Sequence, residues 1–225
     1  LLVNLSASPY HAGKGDDRER MLVTSAVDNV SVVAFCNLVG GQDELVFEGR
    51  SVLIDASGDV MARGAQFRED LVIADVDVRR VFRRRLHDPR WRKLPSIDVQ
   101  RIDLPLTASL STEDKEGRPR GWAEASGLSR GVALPLPRTD EIYGALTLGL
   151  ADYVRKNRFR RVVIGLSGGI DSALTACIAA DALGPENVTG VAMPSRYSAD
   201  FSKTDAARLA DNLGIDLLVI PIEPV

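Results

Sequence analysis

The stretch from Val162 to Leu174 constrains the fold more than any other part of the chain, because it reads as a strand, a glycine turn and a helix start in immediate succession. Val162 to Leu166 have the continuous apolar, largely β-branched character of a strand covered on both faces. Ala173 to Ala182 is rich in residues that favour helix. Between them lies Ser167-Gly168-Gly169-Ile170-Asp171-Ser172. Adjacent glycines let the backbone take conformations closed to other residues and approach a ligand closely. The start of the following helix adds unpaired N–H groups and the positive end of its dipole. An anion, phosphate above all, is the expected guest. The competing reading is a plain strand-to-helix turn with a serine cap; strand, loop and helix falling in register favour the anion trap.

The loop lacks the lysine of a Gly-x-x-x-x-Gly-Lys-Ser/Thr phosphate loop and the third glycine of the dinucleotide fingerprint. It resembles instead the Ser-Gly-Gly-x-Asp-Ser loop of the ATP pyrophosphatases, which adenylate a substrate and then admit a nitrogen or sulfur nucleophile. That resemblance implies an ATP site at Gly165, Leu166, Ser167, Gly168, Gly169, Ile170, Asp171 and Ser172. Serine hydroxyls and backbone N–H groups would take the phosphate oxygens, and Asp171 would hold the Mg2+ that neutralises departing pyrophosphate. Val188 to Ala192 reads as a parallel neighbour of the first strand, reached by a crossover through the helix after Ser172. Ligands bind beyond the carboxyl ends of such strands, which brings Met193, Ser195 and Ser198 near the nucleotide. By resemblance the Met193-Pro194-Ser195 segment borders the adenine pocket; the alternative is a plain turn. Ala199 to Leu213 reads as an amphipathic helix with Asp200 and Asp205 exposed or capping, and Leu217 to Ile222 as a further strand.

A content of 45% apolar residues in 225 is ample for one large or two ordinary domains. A net charge of −3 gives no global electrostatic case for nucleic acid, and no apolar run approaches a membrane span, so neither partner is expected. Cys36 and Cys177 sit in apolar settings that suit reduced, buried thiols rather than a disulfide framework, which makes a cytoplasmic location the default. The opening Leu1-Leu2-Val3-Asn4-Leu5 has no initiator methionine and no basic region before it. It is expected to be a strand of a longer chain rather than a signal peptide. The strand after Leu217 has few residues beyond it, so the second sheet is expected to be incomplete. Between about Leu86 and Pro137 prolines, glycines and charges scatter with little periodicity, as in an extended linker. The expected organisation is a first domain over 1–85, a partly disordered linker over 86–137 and a second domain over 138–225.

In the first part, Leu1 to Leu5, Val30 to Phe35 and Arg50 to Ile54 read as strands, with a helix over Asp17 to Asn29 after the Gly13-Lys14-Gly15 turn. Asn4-Leu5-Ser6-Ala7-Ser8-Pro9-Tyr10, Gly13-Lys14, the run Asn37 to Ser51 and Asp55-Ala56-Ser57-Gly58 resemble the C-terminal half of a nitrilase-type glutaminase. Joined to the phosphate loop, and to Glu141-Ile142-Tyr143 and Gly149 to Val154 ahead of it, they make the chain similar to the glutamine-dependent NAD synthetase family. The resemblance implies an α/β chain: the C-terminal half of a nitrilase-like αββα sandwich, followed by the start of a Rossmann-like parallel-sheet adenine-nucleotide (PP-loop) domain. It further implies glutamine hydrolysis, channelled ammonia, and ATP-dependent adenylation of deamido-NAD with AMP replaced by ammonia to give NAD. A homo-oligomer is the expected assembly.

The family's Glu, Lys and Cys triad would precede Leu1, so no catalytic residue is assigned here. Cys36 follows an apolar strand and lacks the Glu-Asp context expected after the nucleophile; a structural role is expected of it and of Cys177. By resemblance Ser8 and Lys14 bind the glutamine substrate, a hydroxyl and an ammonium being suited to its polar groups; the alternative is a turn serine and an exposed lysine. His11 and His87 show no metal pattern. The arginines from Arg79 to Arg85 read as a solvated helix face or subunit contact rather than a nucleic-acid patch. Two other readings stay open, another PP-loop ATP pyrophosphatase (an amidotransferase or thiolation enzyme) and a non-catalytic fragment.

Overall fold

A computed structural model describes residues 1–90, 131–194 and 200–222, without the side chains of residues 200–203. Most of the expected linker therefore lies outside the described residues, as do Ser195 and Ser198.

The first part is built on a mixed sheet in the order β1-β2-β5-β6. Strands β1 (Leu2–Ser6) and β2 (Val33–Asn37) run parallel, while β5 (Val52–Ile54) and β6 (Val60–Arg63) continue antiparallel. Helix α1 (Lys14–Asp28) supplies the crossover between β1 and β2. Its Leu22 and Ala26 pack on Val33, Phe35, Val52 and Ile54, all buried, and each large side chain so buried stabilises the fold by roughly 1.5–3 kcal/mol. The same helix turns charge inward. Arg18 and Glu48, both buried, meet at 2.8 Å, and the Arg18 guanidinium lies 5.3 Å from the Phe35 ring centroid. Glu19 takes Arg63 at 2.6 Å and Arg50 at 3.3 Å, tying the helix to the sheet.

A hairpin of β3 (Val39–Gln42) and β4 (Leu45–Glu48) projects from the sheet through a turn in which Asp43 has φ 52°. The family resemblance covered this stretch, but Gly40-Gly41 gave no strand signal. Helix α2 (Val78–His87) begins at Asp77, whose carboxylate accepts from the Arg79 and Arg80 N–H groups. Arg85 of α2 donates to Val30 O and Ser31 Oγ, and Arg84 to Ser57 Oγ, so these arginines hold the helix to the sheet's end. Beyond the undescribed stretch, Val132 lies alongside Arg63 as a parallel bridge and the Ala133 N–H reaches Arg63 O at 3.0 Å.

The second part has a parallel sheet in the order β7-β8-β9: β7 (Val162–Gly165), β8 (Val188–Ala192) and β9 (Asp216–Val219). Helix α3 (Arg138–Lys156) precedes it, α4 (Ile170–Leu183) connects β7 to β8, and α5 (Asp200–Leu213) connects β8 to β9. Leu166, Ala176, Ala179, Ala180, Val188, Ala206, Ala210 and Ile215 form its core. Gly190 is required there: a Cβ on it would stand 2.5 Å from Leu166 Cδ1.

Three expectations need correction. Strand β7 is not covered on both faces, for Val163 is 71% exposed; among the described residues the helices of the β8 connections pack on the opposite face. Cys36 is exposed rather than buried, because alternation along β2 turns Phe35 toward α1 and Cys36 the other way. Helix α1 starts at Lys14, a turn earlier than its apolar periodicity indicates, since Gly13 takes the left-handed conformation (φ 87°) that opens it.

Candidate functional site

The loop expected to trap an anion lies where β7 ends. Gly168, at φ 77°, turns the chain in a region that favours glycine. The serines organise the loop from within: Ser172 Oγ donates to Gly169 O at 2.9 Å and lies 3.1 Å from Ser167 Oγ, which itself accepts from the Gly169 N–H at 3.3 Å. Helix α4 starts at Gly169 with no side-chain cap, which leaves its first N–H groups open to an anion. Beside it lies a cleft of about 430 Å3 bordered by Gly168, Gly169, Ile170 and Ala173 and, from α5, by Asp205, Arg208 and Asn212. The sequence did not single out Arg208 or Asn212, because a charge on an amphipathic helix carries no local sign of what it faces.

Asp171 is exposed in the first turn of α4 and its carboxylate makes no hydrogen bond or ion pair among the described residues. No cluster of three or more His, Cys, Asp or Glu side chains suited to a metal occurs among them. A free hard oxygen beside a phosphate cradle fits magnesium, which is commonly held by one or two carboxylates together with substrate phosphates and water. Met193 brings its Cε against Gly165, where a Cβ would sit 3.4 Å away, so this residue does border the loop.

Ser8 lies on the loop from β1 to α1, and Lys14 is the first residue of α1. Asn37, 5% exposed, fixes that loop: its Oδ1 accepts from the Ser8 N–H at 2.9 Å while its Nδ2 donates to Gly49 O at 3.0 Å. Lys14 Nζ donates to Pro9 O at 2.7 Å, and the Tyr10 N–H reaches Val46 O in the hairpin at 2.7 Å. A cleft of about 590 Å3 opens nearby, with Ser6, Cys36, Asn37, Arg68 and Asp70 among its walls, but neither Ser8 nor Lys14 borders it.

Helix α3 packs between the β3–β4 hairpin and α4. Toward its end, Asp152 Oδ2 accepts from the Gly41 N–H at 2.8 Å and Lys156 Nζ donates to Gly41 O. The approach is close enough that a Cβ on Gly41 would stand 3.1 Å from Gly149 Cα. At its start, the buried Glu141 faces the half-buried Gln66, whose Nε2 lies 3.4 Å from Glu141 Oε1 and 3.0 Å from Glu48 Oε2. Burial first, and then the Glu48 charge, push the Glu141 carboxyl above its usual pKa. Burial, helped by Glu141 and Glu48, does the same to the Tyr10 phenol. Tyr143 donates to Asp181 of α4 at 2.6 Å, and that bond, ahead of burial, lifts its phenol to about 12.

Comparison with known proteins assigns both halves. The carbon-nitrogen hydrolase family matches residues 1–85 and the NAD synthase family residues 142–225. The chain is 47% identical over its whole length to the glutamine-dependent NAD(+) synthetases of Aquifex aeolicus and of Thermotoga maritima, and spans 37% of each. A solved glutamine-dependent NAD+ synthetase from Acinetobacter baumannii, in complex with adenosine diphosphate, superposes with a TM-score of 0.73 at 30% identity over 99% of this chain and 34% of that one. The chain thus spans about a third of the length of the relatives it matches. Hydrolase and synthase segments thus lie in one polypeptide, and the chain is similar across both to glutamine-dependent NAD(+) synthetases.

Proposed function

We propose that this chain serves in the ATP- and glutamine-dependent amidation of deamido-NAD to NAD, through an adenylated intermediate and ammonia passed from one half to the other. Residues 1–85 would belong to the glutaminase domain, 86–137 to the linker and 138–225 to the synthetase domain. The observation that carries the reading is the coexistence of an open phosphate cradle with a free carboxylate at Asp171 and of the ordered Ser8–Lys14 loop in a chain similar to these synthetases throughout. Gly165 to Ser172 bind the ATP phosphates, with Met193, Ser195 and Ser198 beside the nucleotide. Asp171 holds Mg2+, whose charge supports pyrophosphate departure. Ser8 and Lys14 hold the glutamine; the nucleophile is not among these residues, and Cys36 does not replace it. Its setting is cytoplasmic and its assembly a homo-oligomer, with small-molecule substrates and neither nucleic acid nor membrane as partner. No helix among the described residues is long and apolar enough to cross a membrane.

In the full-length protein Asp171→Asn should abolish NAD formation from either glutamine or ammonia while glutamine hydrolysis stays measurable, since it removes a hard anionic ligand from one site alone. Ammonia-supported NAD synthesis at the wild-type rate and ordinary magnesium would refute the assignment.

A further inference from the structure

The β3–β4 hairpin is a sheet of two strands, so each strand has one edge open to another element. Gly41 and Val46 stand opposite each other in it. In an antiparallel ladder both backbone groups of a residue point to one side, alternately toward the partner strand and away from it. Gly41 points away. Its N–H donates to Asp152 Oδ2 at 2.8 Å and its C=O accepts from Lys156 Nζ, so one turn of α3 takes both polar groups of a buried edge residue. The two side chains also meet each other, at 3.5 Å. Left without partners, those backbone groups would be costly to bury, and charged partners make the stronger hydrogen bonds.

On the same rung the opposite edge serves the other part of the chain. The Val46 C=O accepts from the Tyr10 N–H at 2.7 Å, within the stretch from Ser8 to Lys14. Val46 itself packs on α3, for a Cβ on Gly149 would stand 3.0 Å from its Cγ2. The Tyr10 ring meets Phe67 edge-on at 5.3 Å, and a Cβ on Gly144 of α3 would stand 2.8 Å from Phe67 Cδ2. Tyr10 is therefore backed by α3 twice, through the hairpin and through Phe67. Helix α3 is tied in turn to α4, the helix that opens at the phosphate loop, by Tyr143 and Asp181.

We infer that Asp152, with Lys156, is a positioning residue that couples the two halves. By gripping Gly41 it fixes the hairpin, and with it the stretch from Ser8 to Lys14, against the phosphate-loop domain, so that ammonia released in one half reaches the other. The inference rests on the proposed passage of ammonia between them. Among the described residues, Asp152 and Lys156 bond to Gly41 and to each other, and not to Ser8, Lys14 or the loop from Gly165 to Ser172. Each site therefore keeps its own chemistry when the grip is lost. What fails is transfer: glutamine is hydrolysed without a matching gain in NAD. Ammonium supplied from solution needs no such alignment.

The test measures glutamate released and NAD formed by the full-length protein, first with glutamine and then with ammonium as nitrogen donor. Asp152→Ala should raise the glutamate-to-NAD ratio about threefold or more, while glutamine turnover and ammonium-supported synthesis stay within about twofold. Asp152→Asn keeps an acceptor for the Gly41 N–H and should restore most of the ratio. A merely structural role would lower all the rates together and leave the ratio alone. An unchanged ratio in Asp152→Ala, or a loss of ammonium-supported synthesis as large as the loss with glutamine, overturns the inference. Should Asp152→Ala fail to fold, Lys156→Met, at a half-exposed side chain, should raise the ratio about twofold or more, and an unchanged ratio there overturns the inference equally. The wild-type protein separates the two layers of the argument. Near-equal glutamate and NAD in the wild type, matched by the variants, condemns the positioning role alone, whereas glutamate far in excess of NAD in the wild type condemns the passage of ammonia with it.

Discussion

Cys36 illustrates how much one residue's meaning depends on the face of a strand it occupies. In the sequence it follows Val32, Val33, Ala34 and Phe35 and looks like a core thiol. In the structure it is exposed, one residue beyond the buried Phe35. Exposure weakens the stability argument against replacing it, and its position on the wall of a cleft does not make it a nucleophile. Cys36→Ser in the full-length protein should retain glutamine turnover within a few-fold and cost under about 1 kcal/mol in urea unfolding, as exposed substitutions do. Loss of glutamine hydrolysis together with loss of covalent trapping by a glutamine analogue would show that the nucleophile had been misplaced. Asn37 is the opposite case. Nothing in its local sequence marks it, yet its amide holds Ser8, Gly49 and the surrounding loop together, because polar satisfaction in a buried place depends on partners far along the chain.

Among the elements, the strand, loop and helix from Val162 to Leu183 were the most legible. Their signal is local: apolar β-branched residues, two glycines, then helix formers. What supports the loop from behind is not local. Leu166, the last residue before Ser167, enters the core only because Gly190 of β8 leaves room for it. Gly190→Ala should therefore cost about 1–3 kcal/mol by overpacking, read as a lower denaturation midpoint, and should weaken ATP binding. Leu166→Ala in the same protein should recover part of that loss, whereas strictly additive effects would show that the two positions do not press on each other. Helix α3 was missed as an element, and the β3–β4 hairpin it clasps was hidden by Gly40 and Gly41. Glycines are poor predictors of strand. Here they serve close approach, since Gly41 and Gly149 bring strand and helix backbones together.

For the molecule as a whole, the charge cluster at Glu19 joins α1, the sheet and the stretch after the undescribed residues. Arg63, which takes both Glu19 oxygens, also donates to Ala133 O at 2.8 Å. Burial opposes ionisation of Glu19, but hydrogen bonds and charge from Arg63, then Arg50, outweigh it and hold the carboxyl below its usual pKa. A lowered carboxyl pKa stabilises the fold above the unfolded value, about 4.3 for glutamate, and that contribution is lost as pH falls through the folded value. Glu19→Gln should then cost about 1–3 kcal/mol at pH 7, an unpaired arginine being left behind and partial exposure moderating the loss. The gap from wild type should narrow in acid; a difference constant from pH 7 down to pH 3 by thermal unfolding would contradict the linkage. The sequence by itself determined the phosphate loop, the parallel neighbours around it and the family resemblance of both halves, because strand and helix periodicity, glycine turns and contiguous motifs are carried by residues close together in the chain. Only the tertiary structure shows that Asn37 fixes Ser8, that Arg208 borders the cleft beside Gly168 and Gly169 and that Cys36 faces outward. Each of these is settled by which distant element packs against the residue, and neighbours in sequence carry no record of that.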